Sequence, residues 1–165
     1  MLDRTKRNLL NRHRREDVVV RPPWSDLEEK FLDKCQHCNA CIEQCETQII
    51  VIGEGGSPEI DFNLGECTEC KECLDACEPR ALDINNPKSQ HIFTIKQDCL
   101  AHNAIYCQSC KDECEAGAIQ FSFSRGAIPV PSLNNTQCTD CGACISVCPS
   151  QSIITTKKES ELEHV

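Results

Sequence analysis

The sequence predicts an α+β fold made of two tandem modules, in which short β-hairpins and short helices surround clustered cysteines. Three observations lead there. Sixteen of the 165 residues are cysteine, they fall into four blocks that repeat along the chain, and short β-branched runs flank those blocks. A fourth property agrees with this picture. Only 4% of residues are aromatic and the mean hydropathy is −0.41, so a large hydrocarbon core is not expected.

The blocks set the order of elements. Cys35, Cys38, Cys41 and Cys45 form the first, Cys67, Cys70, Cys73 and Cys77 the second, and Cys138, Cys141, Cys144 and Cys148 the fourth, all spaced C-x2-C-x2-C-x3-C. The third is distorted: Cys107, Cys110 and Cys114 keep the second half of the pattern, but Cys99 lies eight positions before Cys107. After the blocks come Ile49–Ile52, Ala81–Ile84, Ala118–Phe123 and Ile153–Thr156, and before blocks two to four come Glu59–Phe62, Ile92–Ile95 and Ile128–Leu133. Turn residues separate them: Gly53, Gly55, Gly56, Ser57 and Pro58, then Asn85, Asn86 and Pro87, then Ser124, Arg125 and Gly126. Each linker therefore reads as a β-hairpin. The last two cysteines of each block are expected on one or two helical turns.

The block spacing points to metal. A [4Fe–4S] cube needs four thiolates, and three cysteines spaced two residues apart wrap three corners while a fourth ligand comes from elsewhere. Zinc sites favour two C-x2–4-C pairs or cysteine with histidine. Disulfide scaffolds follow a secretory leader, and Met1 to Val20 has no apolar stretch of that kind. In two-cluster bacterial ferredoxins the last cysteine of each block ligates the other block's cluster, so four blocks predict four clusters in two bacterial-ferredoxin-like modules. Sequential pairing joins Cys35, Cys38 and Cys41 with Cys77; Cys67, Cys70 and Cys73 with Cys45; Cys99, Cys107 and Cys110 with Cys148; and Cys138, Cys141 and Cys144 with Cys114. Nested pairing, block one with four and two with three, fits the similar linker lengths too, and sequential pairing is preferred. The long Cys99–Cys107 gap marks block three as the labile or [3Fe–4S] site. His37 lies inside block one and reads as a polar neighbour of the cluster; His91 and His102 read as ordinary surface or hairpin residues.

The predicted organisation is a basic arm and Pro/Trp lead-in over residues 1–24, modules over 25–90 and 91–157, and a polar tail over 158–165. Ser25, Asp26 and Glu28 resemble a capping box opening a helix toward Leu32. Trp24 is expected as a lid on the first module, and Arg4–Arg15 as an arm able to form an amphipathic helix. Net charge is −9, with +4 in residues 1–21 and −13 beyond them. A body this acidic repels phosphate backbones, so nucleic acid is not expected as a partner. No run approaches the ~20 apolar residues of a membrane span, and Arg14–Arg15 is followed by charge where an export signal needs an apolar stretch. A cytoplasmic location follows. No Ser/His/Asp set, phosphate loop or acid-base carboxylate pair stands out, so catalysis is not expected. Glu46, Glu78 and Glu115 directly follow Cys45, Cys77 and Cys114, and carboxylates there are expected to lower the potentials.

The four-block layout, Arg21–Pro22–Pro23–Trp24–Ser25 before Phe31–Leu32, the turn from Gly53 to Pro58, Phe93–Thr94–Ile95, Cys99–Leu100–Ala101 and Cys141–Gly142–Ala143–Cys144 resemble the NapF family of ferredoxin-type proteins. The resemblance implies an iron–sulfur accessory protein of the periplasmic nitrate reductase system. Its partner would be the catalytic molybdoenzyme subunit, met in the cytoplasm before export and assisted in maturation by electrons, by cluster supply or by protection of the precursor. The competing expectation is an electron-carrier subunit linking a dehydrogenase or quinol oxidase to an acceptor.

Overall fold

The computed structural model describes residues 18–123 and 126–158. The predicted arm over 4–15 and most of the tail lie outside them. Five helices and six strands occur among the described residues: α1 (Glu28–Lys34), α2 (Ala40–Glu43), β1 (Ile50–Ile52), β2 (Pro58–Ile60), α3 (Glu72–Asp75), β3 (His91–Ile95), α4 (Ser109–Asp112), β4 (Ile119–Ser122), β5 (Val130–Leu133), α5 (Ala143–Ser146) and β6 (Ile153–Lys157). These short elements make the predicted α+β architecture.

Two of the three expected hairpins form. β1 pairs antiparallel with β2 (Ile50 opposite Ile60) and β4 with β5 (Ile119 opposite Leu133). The third does not. Ile92–Ile95 belongs to β3, which pairs instead with β6, Ile95 opposite Ile153 and His91 opposite Lys157, while Leu82 makes a single bridge to Ser25. The turn between them still exists: the Asn86 amide donates to the Asp83 carbonyl at 2.9 Å, and the Asn85 amide to Asp83 Oδ1 at 2.9 Å. That local turn is satisfied by an aspartate side chain and needs no strand pair around it. It leads the chain out of the first module and into the second.

The lead-in is built into both modules. The Val18 amide donates to the Thr155 carbonyl of β6 at 3.4 Å, and Val20 accepts from the Ile60 amide of β2 at 2.8 Å. Trp24 is 7% exposed and packs beside Cys45, Cys67, Cys70 and Cys73, which bears out its reading as a lid. The capping box is not made. Ser25 Oγ donates instead to the Pro22 carbonyl at 2.6 Å, and α1 begins three residues later with no side-chain cap. Asp26 supports that helix differently, by ion-pairing with Lys34 at 2.8 Å.

One apolar cluster runs through both modules: Val20, Phe31, Ile49, Ile50, Phe62, Leu82, Phe93, Ile119 and Ile153, with Cys73 and Cys144 among them. His91 is buried against this cluster rather than at the surface. It is 7% exposed, its ring lies 5.8 Å from that of Phe62 and 5.1 Å from that of Phe93, and burial lowers its pKa. Phe31, 1% exposed, lies under the Arg21 guanidinium at 5.2 Å, and Arg21 in turn pairs with Glu28 at 2.6 Å. With so few large side chains, each counts heavily. Phe31→Ala is expected to cost about 3–5 kcal/mol, seen as a lower urea midpoint for bleaching of the cluster absorbance.

Candidate iron–sulfur centres

Each block is a loop that turns into one helical turn. The third cysteine of each sits in the short helix (Cys41 in α2, Cys73 in α3, Cys110 in α4, Cys144 in α5) and the fourth just beyond its end. α2 packs against α3, and α4 against α5. The loops depend on left-handed backbone. Two residues after the first cysteine, His37, Glu69 and Asp140 have φ of 53°, 59° and 59°; one residue after the second, Asn39, Lys71 and Gly142 have 64°, 70° and 81°. Three residues after the fourth, Gln48, Arg80, Gly117 and Gln151 repeat the same conformation. Most of these are not glycine, and each such residue costs on the order of 1 kcal/mol. Block three keeps only the last of these positions, since Gln108 has φ of −136°.

The cysteines gather in fours. Cys35, Cys38, Cys41 and Cys77 line one cavity with Phe31, Pro58 and Leu82. Cys45, Cys67, Cys70 and Cys73 line a second with Trp24, Ile49 and Ile60. Cys99, Cys107, Cys110 and Cys148 line a third with Ile95, Leu100 and Phe121. The remaining four, Cys114, Cys138, Cys141 and Cys144, form the fourth group: Cys138, Cys141 and Cys114 all oppose ionisation of Cys144, as does Cys110, which itself lines the third cavity. The grouping is sequential, block one with two and three with four.

Cys99 joins its group despite the long gap. The chain from Cys99 to Cys107 is knit onto itself, the Asn103 amide donating to the Cys99 carbonyl at 3.1 Å and the Ile105 amide to the Leu100 carbonyl at 2.9 Å. Asn103 Nδ2 adds bonds to the Gln97 and Cys99 carbonyls, His102 Nδ1 lies 3.1 Å from the Lys96 carbonyl, and Ala101 is buried.

None of the sixteen cysteines is paired in a disulfide. Among the described residues no three or more His, Cys, Asp or Glu side chains converge as a single metal ion would require. In three of the groups the thiols are spread around a void, four to each, as many as a polynuclear cube has iron corners. Burial, then neighbouring thiols, push Cys73 and Cys144 up to about 12, and Cys41 and Cys110 up to about 11. Cys45 goes the other way: burial works to raise it, but is outweighed by hydrogen bonds from the Thr47 hydroxyl and from the amides of Ile49, Ile50 and Thr47. The Asp140 amide reaches Cys138 Sγ at 3.4 Å and the Ser152 amide reaches Cys148 Sγ at 3.3 Å. His37 sits beside the first group with Nε2 at 3.3 Å from Ser57 Oγ. Glu46, Glu78 and Glu115 are exposed, so water screens their fields.

Two stretches of the chain, 34–81 and 103–152, match the 4Fe-4S dicluster domain. The ferredoxin-type protein NapF of Escherichia coli K12 is 38% identical over 154 residues, covering 92% of this chain and 94% of that protein. The chain belongs to the NapF family. The NapF of Haemophilus influenzae is 42% identical over 149 residues, with 88% and 83% of the two chains covered. A more distant relative is the methylamine utilization ferredoxin-type protein MauM of Methylobacillus flagellatus, 26% identical over 150 residues, spanning 79% of this chain and 64% of that one. No solved structure matches the chain. As a NapF-family protein with two dicluster domains, it carries [4Fe–4S] clusters.

Two measurements probe these groups. Cys99→Ala is expected to reduce iron and sulfide by one cluster's worth in anaerobically purified protein; loss from all sites would contradict a local role. Without clusters, thiols raised above their ordinary 9.0 keep their protons at neutral pH, and ligation must expel them. A raised value stabilises the bare fold below about 9 and is lost as pH rises toward about 12. Cluster loading is therefore expected to release protons into weak buffer and to become more favourable as pH rises through neutrality.

Proposed function

We propose that the four cysteine groups hold four [4Fe–4S] clusters, two in a module over 25–90 and two in a module over 91–157, and that this iron–sulfur protein assists maturation of the catalytic molybdoenzyme subunit of periplasmic nitrate reductase. The observation that carries the reading is the gathering of every cysteine into one of four sets of four, in a chain that aligns with NapF over nearly its whole length. When bound, the clusters supply one-electron transfer at low potential.

In this reading the polypeptide positions rather than reacts. Thr47, Ile49 and Ile50 hold the Cys45 thiolate, Trp24 and Ile60 keep water from the block-two cavity, and Phe31, Pro58 and Leu82 do so for block one. The partner is the catalytic subunit, met in the cytoplasm before export and supplied with electrons or cluster. No helix among the described residues is long and apolar enough to cross a membrane.

A second reading has its own support. One component of an ion-translocating oxidoreductase complex of Methanosarcina acetivorans is 32% identical over 131 residues, covering 72% of this chain and 46% of that protein. A carrier subunit linking a dehydrogenase or quinol oxidase to an acceptor would use the same clusters. Producing the catalytic subunit with and without this chain separates the two. Maturation predicts a subunit that is inactive even with artificial electron donors until the chain is co-expressed, and that retains the chain in pull-down. Full activity without it rejects maturation and favours the carrier.

A further inference from the structure

The two modules touch where their cysteine loops are. The Cys67 amide of block two donates to the Cys141 carbonyl of block four at 2.8 Å. Both residues belong to proposed ligand sets, so one backbone hydrogen bond joins two different sites. Lys88 closes the same seam by donating to the Glu69 carboxylate on one side and to the Thr139 carbonyl on the other. Glu69 and Thr139 are themselves loop residues of blocks two and four.

Gly142 shows that the approach is specific. Its φ of 81° does not by itself require glycine, because Asn39 and Lys71 hold the same conformation at the same place in blocks one and two. What sets position 142 apart is Phe62: a Cβ there would overlap the Phe62 ring. Phe62 comes from the first module and is 4% exposed. It is backed by Phe93, edge-on at 5.4 Å, and by His91. The missing side chain in block four lets the first module come against that loop.

Within each module the sites also adjoin. The Cys41 thiol of block one is near enough to Cys73 to oppose its ionisation, and Cys110 of block three is so placed toward Cys144. The hydrogen bonds of the seam come from the loops of blocks two and four, at Cys67, Glu69, Thr139 and Cys141, and from Lys88, and none from the loops of blocks one and three. Resting on the ligand assignment above, we propose that the Cys67–Cys141 contact is the electronic junction between the modules: the four sites form one conduit in the order block one, block two, block four, block three. The block-one and block-three sites are then its terminals, where one-electron redox proteins give and take electrons.

With clusters bound, Cys45, Cys67, Cys70 and Cys73 would hold one partner of a one-electron exchange and Cys114, Cys138, Cys141 and Cys144 the other, one group becoming more oxidised by one electron as the other becomes more reduced by one. No bond forms or breaks, and no proton moves.

The test uses the full chain, loaded anaerobically, as wild type, Gly142→Asn, Gly142→Asn with Phe62→Ala, and Lys88→Met. Asparagine suits the left-handed turn, as Asn39 shows, but cannot fit beside Phe62. The readouts are iron and sulfide content, electron paramagnetic resonance of the fully reduced protein, and hydrogen exchange at the Cys67 amide. Gly142→Asn is expected to keep full iron, to lose the part of the spin–spin interaction that crosses between modules, and to speed Cys67 exchange about tenfold; Phe62→Ala in the same chain restores both. If Gly142→Asn itself loses iron, Lys88→Met, which lies outside every cysteine loop, is read in its place and is expected to weaken the same interaction. Full iron with unchanged coupling in the variant being read overturns the junction alone. A wild type short of four clusters overturns the ligand assignment beneath it.

Discussion

Everything in this chain answers to one constraint: each of four short loops must turn three thiols into its own group and a fourth into that of its partner loop, using backbone that polypeptides ordinarily avoid. The left-handed positions recur with the cysteines, at His37, Glu69 and Asp140, at Asn39, Lys71 and Gly142, and at Gln48, Arg80, Gly117 and Gln151. Such strain persists only where the surroundings over-determine it. The hydrocarbon core is too small to do this alone, with Phe31, Phe62 and Phe93 its only large aromatic residues among those described. On the ligand assignment proposed above, thiolate–iron bonds would supply the rest and couple cluster binding to folding, as in other small metal-stabilised domains.

Much of this was legible in the cysteine spacing, because ligand geometry is local and leaves a local pattern. The β-branched runs after the blocks were legible for the same reason, and two of the hairpins followed. The linker from Ala81 to Ile95 misled because its turn residues are real, yet Asp83 satisfies them without any strand pair. Ile92–Ile95 was then free to pair with Ile153–Thr156 at the far end of the module, a non-local choice that no window of sequence displays. Ser25 misled similarly: its hydroxyl has a better partner in the Pro22 carbonyl than in an exposed helix end.

The seam between modules was the least visible part. The left-handed positions hide behind Asn, Lys, Glu and Asp, which tolerate or merely survive that conformation. His91 looked like one more polar residue in a strand and proved to be an aromatic packing element between Phe62 and Phe93. One signal was present in the repeat: glycine at position 142, where the other three blocks carry a side chain, at Asn39, Lys71 and Gln108. Comparing blocks with one another, rather than each with a consensus, isolates that difference.

The lead-in strand carries a consequence for how the molecule is made. Val18 is clasped by Thr155, through the amide at 3.4 Å and through the threonine hydroxyl at 3.3 Å, across 137 positions of sequence. On a ribosome the first module can gather its cysteines while the second is still being synthesised. The clasp must wait for β6, and so must the β3–β6 pair that closes the second module. Final closure is therefore a late, C-terminal event, and until then the Val18 end of the lead-in has no partner strand, although Val20 can already be held by Ile60 of β2.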